Sequence, residues 1–141
     1  MFLGEYKHTM DSKGRIVIPS KFRKELQQGC VVTKGLDNCL QILTKKNWNQ
    51  ESEKMASLPS TDKTSRQLRR ALFSGAVDSS LDSAGRIQIP ENLRMYSSIK
   101  ENDDVTVTGS GPVIEIWATK TWKKIQSDSD DAFANINEVK G

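Results

Sequence analysis

Cysteine is scarce: Cys30 and Cys39 are the only two among 141 residues, nine positions apart and in no Cys-x-x-Cys pair. With His8 the single histidine, these residues cannot supply the spacings of a structural zinc site. Two thiols are also too few for a disulfide framework, so both are expected as small buried strand residues. No apolar run approaches the ~20 residues that a membrane span needs, and no secretory leader is expected at the first residues. Apolar residues (Gly included, Tyr excluded) number 57 of 141, about 40% against roughly 45–50% in typical globular domains. So thin a core favours burial between halves or between chains. Catalytic groups are missing too. His8 is alone, the carboxylates are scattered, and no P-loop is present. Gly109-Ser110-Gly111 runs into Pro112 rather than opening a helix, so the dinucleotide fingerprint fails. No enzyme, cofactor, metal site or small-molecule substrate is expected, and the cytoplasm is the expected compartment.

The net charge of +3 says little by itself, but its distribution is uneven. Residues 1–74 carry 14 Lys+Arg against 7 Asp+Glu, a net of +7; residues 75–141 carry 7 against 11, a net of −4. Such a split suits a basic face for a polyanion, or head-to-tail association of subunits.

The chain also repeats itself. Asp-Ser-Lys-Gly-Arg-Ile-Val-Ile-Pro-Ser-Lys-Phe-Arg at 11–23 returns at 82–94 as Asp-Ser-Ala-Gly-Arg-Ile-Gln-Ile-Pro-Glu-Asn-Leu-Arg, with 8 of 13 positions identical. The match resumes at a slightly longer offset, pairing Val31 with Val105, Gly35 with Gly109, Ile42 with Ile116 and Trp48 with Trp122. Two units follow, 1–74 and 75–141, each too small to be stable alone and expected to bury the other's apolar face. The fold class is α+β.

Within a unit, residues 2–10 read as extended, Ser12-Lys13-Gly14 as a three-residue loop, and 15–18 as the returning strand of a hairpin. Gly14 and Gly85 fall where such loops need a left-handed residue; Asp11 and Asp82 stand where a carboxylate accepts backbone N–H groups. Pro19 and Pro90 end the strands and suit entry to short helices burying Phe22 and Leu26, or Leu93 and Tyr96. Strands are expected at 31–34, 39–43, 105–108 and 113–117. A helix around Trp48, Met55 and Leu58 should stop at Pro59, and a second, capped by Ser60 or Thr61, should carry Leu68, Ala71 and Leu72 and stop at Gly75. The last helix, through Trp122 and Ile125 towards Phe133 and Ile136, is expected to break or fray at the acidic stretch 127–131.

The repeated polar constellation is Asp-x-x-x-Arg: Asp11 with Arg15, and Asp82 with Arg86. An arginine directly after the loop glycine carries a guanidinium near the tip, with Lys13 adding a cation that Ala84 lacks. Two uses are open. Asp and Arg can pair merely to fix the loop, or the loop can grip phosphate while Arg15 and Arg86 reach base edges in a major groove. Lys7, Lys21, Arg23 and Lys24 flank the first tip as possible phosphate contacts or as a solvated face. Arg66, Arg69 and Arg70 form a basic helix stripe, for solvation or for the acidic half of a neighbour. The three tryptophans suit core or subunit contacts.

With its opening Met-Phe-Leu-Gly-Glu-Tyr and two Asp-x-x-x-Arg loops each followed by Ile-x-Ile-Pro, the chain closely resembles the MraZ family over residues 1–125. The resemblance implies two tandem swapped-hairpin units like those of AbrB-type regulators, together one pseudo-two-fold, β-barrel-like module with flanking helices. It implies ring-shaped homo-oligomers and sequence-specific binding of double-stranded DNA at direct repeats. The target it implies is the promoter of the division and cell-wall gene cluster, so the protein would be nucleoid-associated. Arg15 is then the DNA-contacting arginine and Arg86 its second-copy counterpart. A ring-forming scaffold that docks a protein partner, or an AbrB-like antitoxin, are the alternatives.

Overall fold

A computed structural model describes residues 1–136; the end of the second expected unit, 137–141, lies outside the described residues. Eight strands and five helices follow in the order β1 (Glu5–Thr9), β2 (Arg15–Val17), α1 (Ser20–Arg23), β3 (Cys30–Lys34), β4 (Leu40–Thr44), α2 (Lys45–Ala56), α3 (Lys63–Gly75), β5 (Val77–Ser79), β6 (Arg86–Gln88), α4 (Glu91–Ser97), β7 (Asp104–Ser110), β8 (Val113–Ala118) and α5 (Thr119–Ala134). Six strands form one antiparallel sheet in the order β1-β7-β8-β4-β3-β5, and β2 and β6 form a separate two-stranded ribbon. The barrel is not closed: β1 and β5 end the sheet on opposite sides.

The hairpin expected from the residues alone does not form. β1 pairs with β7, setting Glu5 against Thr108 and Thr9 against Asp104, while β2 pairs with β6. The same exchange operates in the other copy, where β5 pairs with β3. Only the turn between the strands is local, and both strand partners come from the opposite half, the swapped arrangement that the family resemblance implies. In the ribbon Ile16 faces Ile87, its own repeat counterpart. In the large sheet Gln41 faces Glu115, again its counterpart at the second offset. A pseudo-two-fold relation therefore passes through both pairs.

One face of the sheet and the ribbon enclose a shared core. Ile16, Ile18, Phe22 and Leu26 pack in the same cluster as Ile87, Ile89, Leu93 and Ile99, with Val32, Leu40, Ile42, Val107, Ile114 and Ile116 from the sheet. Strand alternation turns Val31, Leu43 and Trp117 to the other face, where they are buried under helices. There α2 and α3 pack on β3 and β4, and α5 packs on β7 and β8. Burying apolar surface from both halves in one cluster offsets the thin composition. Cys30 and Cys39 are both buried and free, and burial pushes their thiols up to about 11 and about 12.

Three local expectations are corrected. The cap of α3 is neither Ser60 nor Thr61 but Asp62, whose Oδ2 accepts from the backbone N–H and the hydroxyl of Ser65 at 3.0 and 2.6 Å. A carboxylate also suits the positive end of the helix dipole. The acidic stretch 127–131 does not break the last helix: α5 runs unbroken to Ala134. Its first turns are anchored on the sheet and its acidic residues are exposed to water, so weak intrinsic propensity is overridden. Tyr96 is only half-buried, and its hydroxyl donates to the Gly35 carbonyl at 2.5 Å. The basic stripe of α3 is partly committed within the chain, since Arg66 Nη1 donates to Ser60 O and Arg69 Nη1 to Leu58 O.

Candidate nucleic-acid interface

The two repeated turns are built alike. Asp11 N donates to Arg15 O at 2.9 Å, and Gly14 N to Asp11 O at 3.1 Å. Asp11 Oδ1 accepts the N–H groups of Lys13 and Arg15, both at 2.9 Å, and Oδ2 accepts Arg15 Nε at 2.8 Å. In the second turn Asp82 Oδ1 accepts the N–H groups of Ala84 and Arg86, and Oδ2 accepts Arg86 Nε, at the same three distances. One carboxylate thus organises each loop and aims its arginine. Chain reversal in three residues needs a left-handed residue, supplied by Gly14 (φ +75°) and Gly85 (φ +76°).

Those contacts also set the charge state. Desolvation works to raise the Asp11 carboxyl, but the N–H groups and guanidinium of Arg15 and the N–H of Lys13 outweigh it and hold the carboxyl below its ordinary value. Asp82 is likewise lowered, chiefly by the Arg86 N–H. Each loop therefore keeps an ionised acceptor against its arginine throughout the neutral range.

Ile16 and Ile87 point from the ribbon into the core with no exposure, so alternation turns Arg15, Val17, Arg86 and Gln88 outward on one face. Arg15 stands opposite Gln88, and Arg86 opposite Val17. The two arginines are thus diagonal neighbours, about 7–8 Å apart. In each, Nε is engaged by its aspartate, and among the described residues no hydrogen bond engages Nη1 or Nη2. A guanidinium oriented through Nε with both terminal nitrogens open can make a bidentate contact to phosphate or to guanine O6 and N7.

The swap moves one expected contact away from the first tip. Arg23 is half-buried, donates Nε to Ile18 O at 2.8 Å, and packs its guanidinium against Gly85, in the second turn. Its counterpart Arg94, which sequence reasoning passed over, occupies the equivalent place at the first turn. Arg94 Nε donates to Ile89 O at 3.1 Å, and a Cβ on Gly14 would lie 3.1 Å from its Cζ. The identical final Arg of the two repeats was the available signal. Gln88 was passed over as well, and only the β2–β6 register reveals it: its Nε2 donates to Lys13 O at 2.8 Å.

Lys13, at the first tip, is exposed, as are Lys21 and Lys24 around α1. Lys7 is on β1, 3.6 Å from the Glu5 carboxylate. Trp117 is buried, whereas the half-buried Trp48 packs edge to face with Phe73 and the half-buried Trp122 packs against Trp117. Among the described residues, no three His, Cys, Asp or Glu converge as a metal site, and no helix is long and apolar enough to cross a membrane.

The sequence matches the MraZ protein family, whose description calls it antitoxin-like, twice in tandem, over residues 1–71 and 72–139. Each match contains one Asp-x-x-x-Arg turn, and the swapped ribbon joins the two. The chain belongs to the MraZ family.

Proposed function

We propose that this protein is a sequence-specific, DNA-binding transcriptional regulator whose reading surface is the outward face of the β2–β6 ribbon. Its target is the set of direct repeats in the promoter of the division and cell-wall gene cluster, including its own gene. The observation that carries the reading is the pair of arginines, each fixed through Nε by a loop carboxylate with its terminal nitrogens open. A two-stranded ribbon fits the major groove, where a bidentate arginine discriminates guanine. Arg15 reads bases, Lys13 contacts phosphate beside it, and Arg86 contributes from the second turn. Lys21 and Lys24 add phosphate contacts, and Lys7 does so after exchanging its Glu5 partner.

Each half, 1–74 and 75–141, acts as one repeat unit, and modules assemble as a homo-oligomeric ring in the nucleoid. The +7/−4 division of charge supports head-to-tail association, as do Leu68 and Phe73, which lie exposed on basic α3. Several modules on successive repeats then raise occupancy through effective concentration.

The test is fluorescence anisotropy of the full-length protein on a fragment from upstream of its own gene, with an unrelated duplex as control, at two salt concentrations. The native protein should prefer its own fragment. Arg15→Ala should lower affinity for that fragment by about tenfold or more per site, the range of one bidentate base contact. Lys13→Ala should weaken both duplexes and flatten the salt dependence. Equal, salt-sensitive binding to both duplexes by the native protein would refute sequence-specific reading and turn attention to a protein partner, as the family's antitoxin-like description suggests.

A further inference from the structure

The two turns are near copies in backbone and motif, yet they are not braced equally. Each receives support from the other half of the chain. Ile89 N donates to Gly14 O, and Ile18 N donates to Gly85 O, both at 2.9 Å. Arg94 packs against Gly14, and Arg23 against Gly85. These supports match in kind, although Arg94 alone also lies 3.7 Å from a carboxylate, that of Glu101. The support from Gln88 has no match.

Gln88 Nε2 donates to Lys13 O at 2.8 Å and lies 3.5 Å from Gly14 O, so it holds the middle of the first turn from across the ribbon. The equivalent position on β2 is Val17, opposite Arg86, and valine has no donor to offer Ala84 O. From this asymmetry, and resting on the DNA-reading function above, we infer that Gln88 is a positioning residue for Arg15 and makes the first turn the dominant reader. Gln88 fixes the Lys13–Gly14 peptide, and with it the amides that hold the Asp11 carboxylate against Arg15.

A turn already held in its binding geometry loses less freedom on docking. The net contribution of one hydrogen bond corresponds to about three- to tenfold in an equilibrium. The exposed cation belongs to the same turn, since Lys13 is replaced by Ala84 in the other. A pseudo-symmetric module with one strong and one weak reader has a direction along DNA, which suits repeats arranged head to tail rather than as palindromes.

The test uses the full chain, the upstream fragment and the unrelated duplex, with Arg15→Ala as reference. Gln88→Val gives the first turn the residue that the second already has. It should lower preference for the upstream fragment about three- to tenfold, leave binding to the unrelated duplex and the salt dependence unchanged, and speed amide exchange at Gly14 without DNA. The reverse change, Val17→Gln, places an amide within reach of Ala84 O and should make Arg86→Ala more damaging than it is in the native background. Unchanged preference in Gln88→Val while Arg15→Ala abolishes it would overturn the inference and leave the DNA reading intact. Equal weakening on both duplexes would also overturn it, as a general loss of structure. If Arg15→Ala itself keeps full preference, the DNA reading fails first. If Gln88→Val does not fold, the Val17→Gln pair decides alone, and an unchanged effect of Arg86→Ala there refutes the inference.

Discussion

Alanine at Gly85 should be much more destabilising than alanine at Gly111, although both residues have the same φ of +76°. At Gly111 a new Cβ meets nothing within 4 Å, so only left-handed backbone strain remains, about 1 kcal/mol. At Gly85 the same strain applies, and the Cβ also lands on the Arg23 guanidinium. That group is the end of a long side chain, but it is not free to swing away, because Nε is committed to Ile18 O at 2.8 Å. Releasing a half-buried, charged donor loses roughly 1.5–3 kcal/mol, which brings the expected total to about 3 kcal/mol. Urea unfolding should be read at fixed protein concentration, since oligomerisation shifts apparent stability by mass action. An unchanged slope with a lower midpoint marks a true stability change. In an Arg23→Ala background the Gly85→Ala loss should shrink to that of Gly111→Ala. Equal losses at the two glycines in the native background would refute the claim that Arg23 braces the opposite turn.

Two further outcomes follow from the symmetry and the loop charges. Ile16→Ala and Ile87→Ala should each lose about 2–5 kcal/mol, because both side chains are fully buried at the centre of the shared core. The double mutant should depart from additivity by at least ~0.5 kcal/mol, because the two face each other across the ribbon, and strict additivity in chemical denaturation would count against that packing. Acid should loosen both turns together. The Asp11 and Asp82 carboxyls lie below the ordinary 3.8 when folded, so the stability they contribute is complete above that value and is lost as pH falls through the folded values. Amide resonances of Gly14 and Gly85, followed from pH 7 to 2, should stay constant down to about pH 4 and shift only below it; a shift centred near pH 6 would contradict this.

How much was legible in the sequence differs by the range of the interaction. The duplication could be read directly, because Asp, Gly, Arg, the isoleucines and Pro recur in register, and it led to the shared core and to the class of fold. The choice of strand partner could not be read from local pattern. A three-residue loop with a left-handed glycine serves an ordinary hairpin and a swapped one equally well, and only the family resemblance implied the exchange. Arg23 followed that ambiguity: the residues place it beside the first turn in sequence, and the swap carries its side chain to the second. Gln88 had no signal, since an outward glutamine on a short strand looks like any solvated position until its cross-strand neighbour is known. The acidic run in α5 misleads because local propensity is visible in the sequence and the anchoring of the helix's first turns on β7 and β8 is not.

The exchange of strands also has a consequence during synthesis. When β1 leaves the ribosome, its partner β7 is not yet translated, and at ordinary elongation rates it follows about 5–20 s later. For most of that interval Ile16 lacks Ile87, and throughout it the apolar side of β1 has nothing to lie against. An N-terminal half in that state can complete itself with the second half of its own chain or with that of a neighbour on the same messenger, because the pairing surfaces are the same. Tethering at one chain's local concentration favours the first outcome. Continuity of one chain from α3 into β5 therefore biases pairing towards monomeric modules over intertwined ones.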